Sequence, residues 1–527
     1  MTKPQKLMSN KALLYHERTK HRFTGYAKGP DTLDWDLQPN PFRSFEGAAR
    51  VDLALTPEKI VAPPAVEPAA IGALLHLAMG LSAWKQFGPD RWALRCNPSS
   101  GNLHPTEAYV LSEGVIGLED GLYHYLSRDH VLEQRRRDDS GQKSDTPRLW
   151  IGLSSIHWRE AWKYGERAFR YCQLDLGHAL GAFSYAAGVL GWRARLVEHL
   201  DSAAIAALLG LDRTEDFGRA EKEDPDALIE ILIGPGEAAA PAPRCGTWTG
   251  VANLLDRHPM YRWPVINEVA EATLLAPLAK DGNGAAAPAL PVNGTNIARV
   301  ADADLILQRR SAQHFDGRHV MARAEFFAIL QGLIPSDHAP WTIWDVAPRV
   351  HPILFVHRVA DLAPGLYALA RAPDAVTLLR QSLNADFVWT PVADAPDPLR
   401  LFQLKSGDAR GAARRLFCNQ AIASDSCFGV AMLAEFAGVA GNPWAYRRLH
   451  WEAGLIGQAL YLEAERVGLR GTGVGCFFDD ETHAFLGVKG AELQTIYHFT
   501  VGAALADSRI ATEPAYPDKQ RPEVFPP

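Results

Sequence analysis

The chain has 527 residues, long enough for more than one domain with a substantial core in each. Charged residues at 22%, hydrophobic residues at 47% and a net charge of −7 describe an ordinary globular protein and give no footprint for nucleic acid. Six cysteines without a CxxC pair argue against a disulfide framework or a structural zinc site, and no segment approaches the roughly 20 apolar residues that span a bilayer. A cytoplasmic protein is the expectation.

From the N-terminus, His16-Glu17-Arg18-Thr19-Lys20-His21 resembles a zinc-protease helix, but its histidines are five apart rather than four, so no metal site is assigned. Arg18-Thr19 through Phe23 is answered near the middle of the chain by Arg310-Ser311 through Phe315. Pro98-Ser99-Ser100-Gly101-Asn102 reads as a turn. It reads equally as a loop whose small residues let a flat polar ring approach. Strands are expected around 108–111, 149–153, 227–233, 353–356 and 495–499. Leu176, Leu180, Phe183, Ala187 and Leu190 recur at helical spacing, as do Leu455, Ala459 and Leu462. Arg170, Gly177 and Gly191 stand 277 residues before Arg447, Gly454 and Gly468. Gly121-Leu122-Tyr123 and Gly365-Leu366-Tyr367 each follow a His-Pro pair, His104-Pro105 and His351-Pro352.

The chain is therefore expected to hold two copies of one domain: 1–245, a connector 246–300 with some helix near 265–278, then 301–510 and an irregular tail 511–527. Strands and helices do not alternate regularly, so the expected class is α+β. Arg310, Ser311 and Gln313 suit a phosphate and its polyol, although a surface helix end reads as well. The glycines of 471–475 follow a helix, the reverse of a dinucleotide fingerprint; their N–H groups suit an anion or a ring edge, and a tight helix-to-strand connection suits them too.

In this order, the segments resemble the FMN-dependent nitroreductase family, and within it the thiazoline/oxazoline dehydrogenases of the SagB/ThcOx type. The residues that carry the resemblance are 15–20, 33–47, 98–102, 162–171 with Gly177-His178, Arg309-Arg310-Ser311, 449–469 and 473–477. The resemblance implies two tandem nitroreductase-like domains, each with a mostly antiparallel sheet flanked by helices, paired as an internal pseudo-dimer. It implies one FMN between the copies, held by Arg310, Ser311, Gln313, Gly475 and Cys476 of one and Pro98, Ser99, Ser100 and Asn102 of the other. Arg509 is a further phosphate candidate or a solvated surface arginine. The mirror-related site, built from Arg18, Thr19 and His21 with 335–338, lacks several elements. Lys163-Tyr164 matches the Lys-Tyr pair that the branch uses as base, or anchors a helix end.

The activity implied is oxidation of a small-molecule or peptide-derived, azoline-like substrate, with biosynthetic partner enzymes. An NAD(P)H-dependent nitro or quinone reductase and a flavin-free scaffold are the alternatives.

Overall fold

A computed structural model describes residues 10–139, 146–198, 200–233, 236, 238–276 and 302–525. The first copy contains α1 (Lys11–Arg18), α2 (Pro68–Met79), the hairpin β1 (Leu81–Phe87) and β2 (Asp90–Arg95), then β3 (Thr106–Glu113), β4 (Gly121–Leu126), β5 (Val131–Asp138) and β6 (Arg148–Ser155). It continues through α3 (His157–Tyr164), α4 (Ala168–Val189), β7 (Arg193–Leu196) and β8 (Asp224–Leu232). After α5 (Pro264–Ala272), the second copy contains α6 (Arg323–Gln331), β9 (Val350–Val356), β10 (Gly365–Ala370), β11 (Arg400–Ser406) and β12 (Phe428–Glu435). It closes with α7 (Ala445–Arg466), β13 (Arg470–Val474), α8 (Asp479–Leu486), β14 (Leu493–Gly502) and β15 (Ala511–Glu513).

The first sheet runs β5-β4-β3-β6-β8-β7 and the second β11-β10-β9-β12-β14-β13, the same order, antiparallel throughout. This is the α+β pseudo-dimer expected from the sequence. The expected strands all fall within β3, β6, β8, β9 and β14, save that β8 stops at Leu232. The central helices α4 and α7 have 22 residues each and start 277 residues apart. They are buried along nearly their whole length, because each is wrapped by its own sheet and by the other helix.

Glycine sets that helix contact. A Cβ on Gly454 would stand 2.8 Å from the Gly177 Cα, and one on Gly177 would stand 2.8 Å from the Trp451 Cα. Only helices without side chains at the crossing approach this closely.

Two internal matches need correction. Strand pairing sets Ser112 against Gly121 and Val356 against Gly365, so the Gly-Leu-Tyr segments are equivalent but the His-Pro pairs are out of step. His104-Pro105 precedes β3, whereas His351-Pro352 lies inside β9. The Arg18 and Arg310 segments are also not equivalent. Arg170 Nε donates to Thr19 Oγ1 at 3.0 Å, and its pseudo-symmetric mate Arg447 donates to Thr273 Oγ1 at 3.0 Å. Each arginine also bonds a backbone carbonyl three residues before its threonine, His16 or Ala270. The mate of α1 is therefore α5, inside the expected connector.

The ends differ likewise from a plain connector and tail. Residues 246–248 add an edge strand to β5, and β15 joins β1 and β2 in a small third sheet. The expected connector residues 277–300 and the start at Ala301 lie outside the described residues. Among the described residues no helix is long and apolar enough to cross a membrane.

Candidate functional site between the two copies

A cavity of about 680 Å³ lies between the copies, within the range of small-ligand sites. One wall is the 98–102 loop of the first copy. The other is the 310–313 segment with β13 and Gly475-Cys476 of the second. Pro98, Ser99, Ser100, Asn102, Arg310, Ser311, Gln313, Gly475 and Cys476 all line it, as does Tyr164. Arg509 does not: its guanidinium forks onto the exposed side of Asp507 at 2.9 and 2.7 Å, although Ser508 and Ile510 beside it reach the cavity.

One end of the cavity is cationic. Arg310 Nη1 donates to the carbonyls of Leu307 and Arg309, and Nη2 to Ser82 O at 3.0 Å. Its Nε–H and the second Nη2–H, the fork that grips a phosphate, have no partner among the described residues. Arg309 is buried. Its Nε and Nη2 donate to the carbonyls of Cys96 and Arg95, while Nη1 is buried with no partner. Lys85 and Arg470 complete the group. Burial, then Arg309, pushes the Arg310 guanidinium down to about 10. Burial, then Arg310 and Arg470, lowers the Lys85 ammonium. Four cations face one space with Glu465 and Asp507 as counter-charge. An unpaired buried donor and mutual repulsion together suit a doubly charged anion.

Aromatic side chains, Tyr164, Tyr171, Tyr461 and Tyr497 among them, line the cavity as well. The expected glycine loop is an edge strand, β13, paired with β14 over residues 470–474. Its glycines make room for rings. A Cβ on Gly471 would meet Phe499 at 2.6 Å, and one on Gly475, just past the strand, would run into the Tyr171 ring. The Gly473 N–H is already taken by the Tyr461 hydroxyl at 2.9 Å, which also bonds Ser311 Oγ at 2.9 Å.

The 98–102 loop is fastened from below. Ser99 Oγ donates to Asp175 at 2.8 Å, Ser100 Oγ at 2.9 Å, and the Ser100 N–H bridges both carboxylate oxygens at 3.0 Å. The serine hydroxyls therefore spend their protons on Asp175 and can only accept from a ligand. Asn102 Nδ2 likewise donates to Ala93 O, at 2.8 Å. Asp175 is buried, and burial raises its carboxyl to about 7 despite those bonds. The sequence reading missed Asp175, Tyr171 and His178. They fall at i, i+4 and i+7 of α4, a polar stripe on an otherwise apolar helix, which was the available signal.

Lys163 and Tyr164 end α3 beneath the same loop. A Cβ on Gly101 would lie 2.5 Å from the Tyr164 hydroxyl and 3.1 Å from Lys163 Nζ. The ammonium stands 5.0 Å from the Trp35 ring centre and 5.2 Å from that of Tyr164. Burial lowers the Lys163 pKa but raises that of Tyr164 far above its ordinary value, with Glu160 next in effect. Of the expected pair, Lys163 is moved toward a neutral base, and Tyr164 is held as a protonated donor.

The residues expected to build the mirror-related site are engaged elsewhere: Arg18 pairs with Glu166, Thr19 with Arg170, and the His21 N–H with Asp479. The mirror-related position itself is built differently. The 341–343 turn packs on β7, where Trp341 and Ile343 are buried.

Sequence comparison accounts for this architecture. The nitroreductase family profile matches residues 61–218. The chain carries a nitroreductase-family domain. That domain supplies the 98–102 loop, α3 and α4. The trifolitoxin-processing protein TfxB of Rhizobium leguminosarum bv. trifolii is 26% identical over 209 residues, 37% of this chain and 50% of that protein. TfxF of the same organism, also a trifolitoxin-processing protein, is 32% identical over 123 residues, 23% of this chain and 42% of that protein. The chain thus spans at most half the length of these curated relatives. A crystal structure from Anabaena variabilis ATCC 29413, provisionally called a nitroreductase, superposes with a TM-score of 0.68 at 22% identity over 94% of this chain and 100% of that one. The nitroreductase-like fold therefore covers both copies.

Proposed function

We propose that the cavity holds FMN and that the protein is an oxidoreductase acting on a peptide-derived, azoline-like heterocycle. The observation that carries this reading is the convergence of both copies on one cavity lined by a cluster of cations and by aromatic side chains. Arg309, Arg310, Arg470 and Lys85 would neutralise the phosphate, and Ser311 and Gln313 would meet the polyol. The 98–102 loop and Gly475 would flank the ring. Bound FMN supplies two-electron redox chemistry that no side chain provides.

The protein's own task is then to place the substrate and move its proton. Lys163, lowered by burial, takes a proton from carbon as the electron pair leaves. The protonated Tyr164 hydroxyl orients the substrate and stays neutral. Asp175 fixes the height of the 98–102 loop above the ring position through three donors. Two relatives are named for trifolitoxin processing, which supports a peptide-derived substrate and partner enzymes of one biosynthetic set. The deciding experiment measures reduction of protein-bound FMN by an azoline-containing peptide under anaerobic conditions, beside NADH and NADPH. Reduction by the peptide alone supports the dehydrogenase, rapid reduction by a nicotinamide makes the protein a reductase, and absence of FMN removes both.

A further inference from the structure

The cavity wall at Cys476 carries a second chemistry. Cys476 follows β13, is half-buried and lines the cavity. Cys418, also half-buried, lies in the turn after the helix Arg410–Leu416. Two ties hold these segments together: the Phe478 N–H donates to Leu416 O at 2.9 Å, and Gln420 Nε2 donates to Cys476 O at 3.2 Å. Between Leu416 and Gln420 the backbone passes through two left-handed residues that are not glycine, Cys418 at φ 52° and Asn419 at φ 60°. Such residues persist only where their surroundings fix them. These ties set the Cys418 thiol beside the Cys476 thiol, where each is the first influence on the other's ionisation.

We propose that Cys418 and Cys476 are a reversible disulfide site, closed by low-molecular-weight disulfides and reopened by thiols. Cys476 is the entering nucleophile. The neighbouring Cys418, then the Arg167 guanidinium, holds its thiol below the ordinary value against burial, while Cys476 beside it and burial push the Cys418 thiol well up. The Cys476 thiolate attacks one sulfur of the reagent, the sulfur–sulfur bond breaks, and one thiolate leaves. Cys418 then gives up its proton and attacks the Cys476 sulfur, releasing the second thiolate. The pair loses two electrons, the reagent gains two, and the two cysteine protons end on the two departing thiols. The new bond ties the 417–420 turn to the cavity wall. This inference does not rest on the flavin reading.

The test treats the full chain with oxidised glutathione and maps peptides without reduction. Cys245 is exposed and far from the pair in sequence, so its mixed disulfide reports that the reagent is active. The expected result is one crosslink per chain joining Cys418 to Cys476, reversed by dithiothreitol. Cys418→Ser should instead trap glutathione on Cys476, and Cys476→Ser should leave Cys418 free. Wild-type protein carrying a stable mixed disulfide on Cys476, or neither cysteine reacting while Cys245 does, would overturn the proposal. The wild-type arm decides the matter even where a variant folds poorly.

Discussion

Gly177 and Gly454 meet at the centre of the molecule, where α4 and α7 cross so closely that neither position has room for a methyl group. The contact joins the two copies, and the cavity lies between them. Gly454→Ala would press its Cβ onto the Leu174 carbonyl, which is backbone and cannot swing away. Overpacking of this kind typically costs about 1–3 kcal/mol, and more where backbone blocks relief. Thermal unfolding and FMN retention should fall together in this variant. Unchanged retention with a lowered melting temperature would separate the helix crossing from the site.

Arg310 and Arg18 should behave differently, since only Arg310 reaches the cavity. Arg310→Ala is expected to weaken FMN binding by on the order of 1.5–3 kcal/mol, the usual loss for a charged hydrogen-bond partner. Arg18 pairs with Glu166 and is more than half exposed, so Arg18→Ala should leave FMN affinity within about a factor of two. The binding isotherms of the two variants, with about one FMN per chain in the wild type, check this. Equal losses would reject the assignment of the site.

Lys163 and Tyr164 divide the proton chemistry. Lys163→Ala should keep bound FMN and slow its reduction by substrate by roughly 10²–10⁴-fold, the usual contribution of a positioned base. Tyr164→Phe should slow it less, because that hydroxyl stays protonated. Dithionite should reduce the flavin of both variants at the wild-type rate. Stopped-flow traces of substrate-driven reduction are the measurement, and an unaltered rate in Lys163→Ala would remove the residue from the mechanism.

Asp175 gives the protein a pH dependence with a defined sign. Burial raises its carboxyl from the ordinary value near about 3.9 to about 7 in the folded chain. The folded state therefore binds a proton that the unfolded state has released between those values. Its stabilising contribution is complete below about pH 4 and is lost as pH climbs to about 7. Asp175→Asn cannot titrate, so the wild type should lose stability relative to the variant across that window. Urea unfolding of both proteins at matched pH values tests it, and parallel curves would show that the carboxyl keeps its ordinary pKa.

Much of this fold is written in spacing that a reader of the sequence can find. The 277-residue offset between Arg170 and Arg447 marks a rigid unit, helix plus following strand, whose length cannot drift without losing the crossing glycines. The site residues on short segments, Pro98 to Asn102 and Arg310 to Gln313, are legible because small and charged residues cluster there. The Arg18–Arg310 match failed because a basic residue and a hydroxyl are too common to fix register. The true mates, Thr19 and Thr273, sit in dissimilar helices and are tied only through buried arginines. The glycines of 471–475 read as a loop for a related reason, and they lie on an edge strand and just past its end. A glycine that admits a neighbouring ring and one that frees a loop have the same letter, and only the Tyr171 and Phe499 rings tell them apart.

The 341–343 turn packs on β7, at the place that mirrors the cavity, and buries Trp341 against Arg371. In a protein built from two identical subunits, such a side chain would stand at both places at once and fill them both. Joining the copies in one chain removes that constraint. One face can be plugged with bulk while its twin stays open, an arrangement that would halve the capacity of a symmetric pair and leave the open half to be shaped for a single guest.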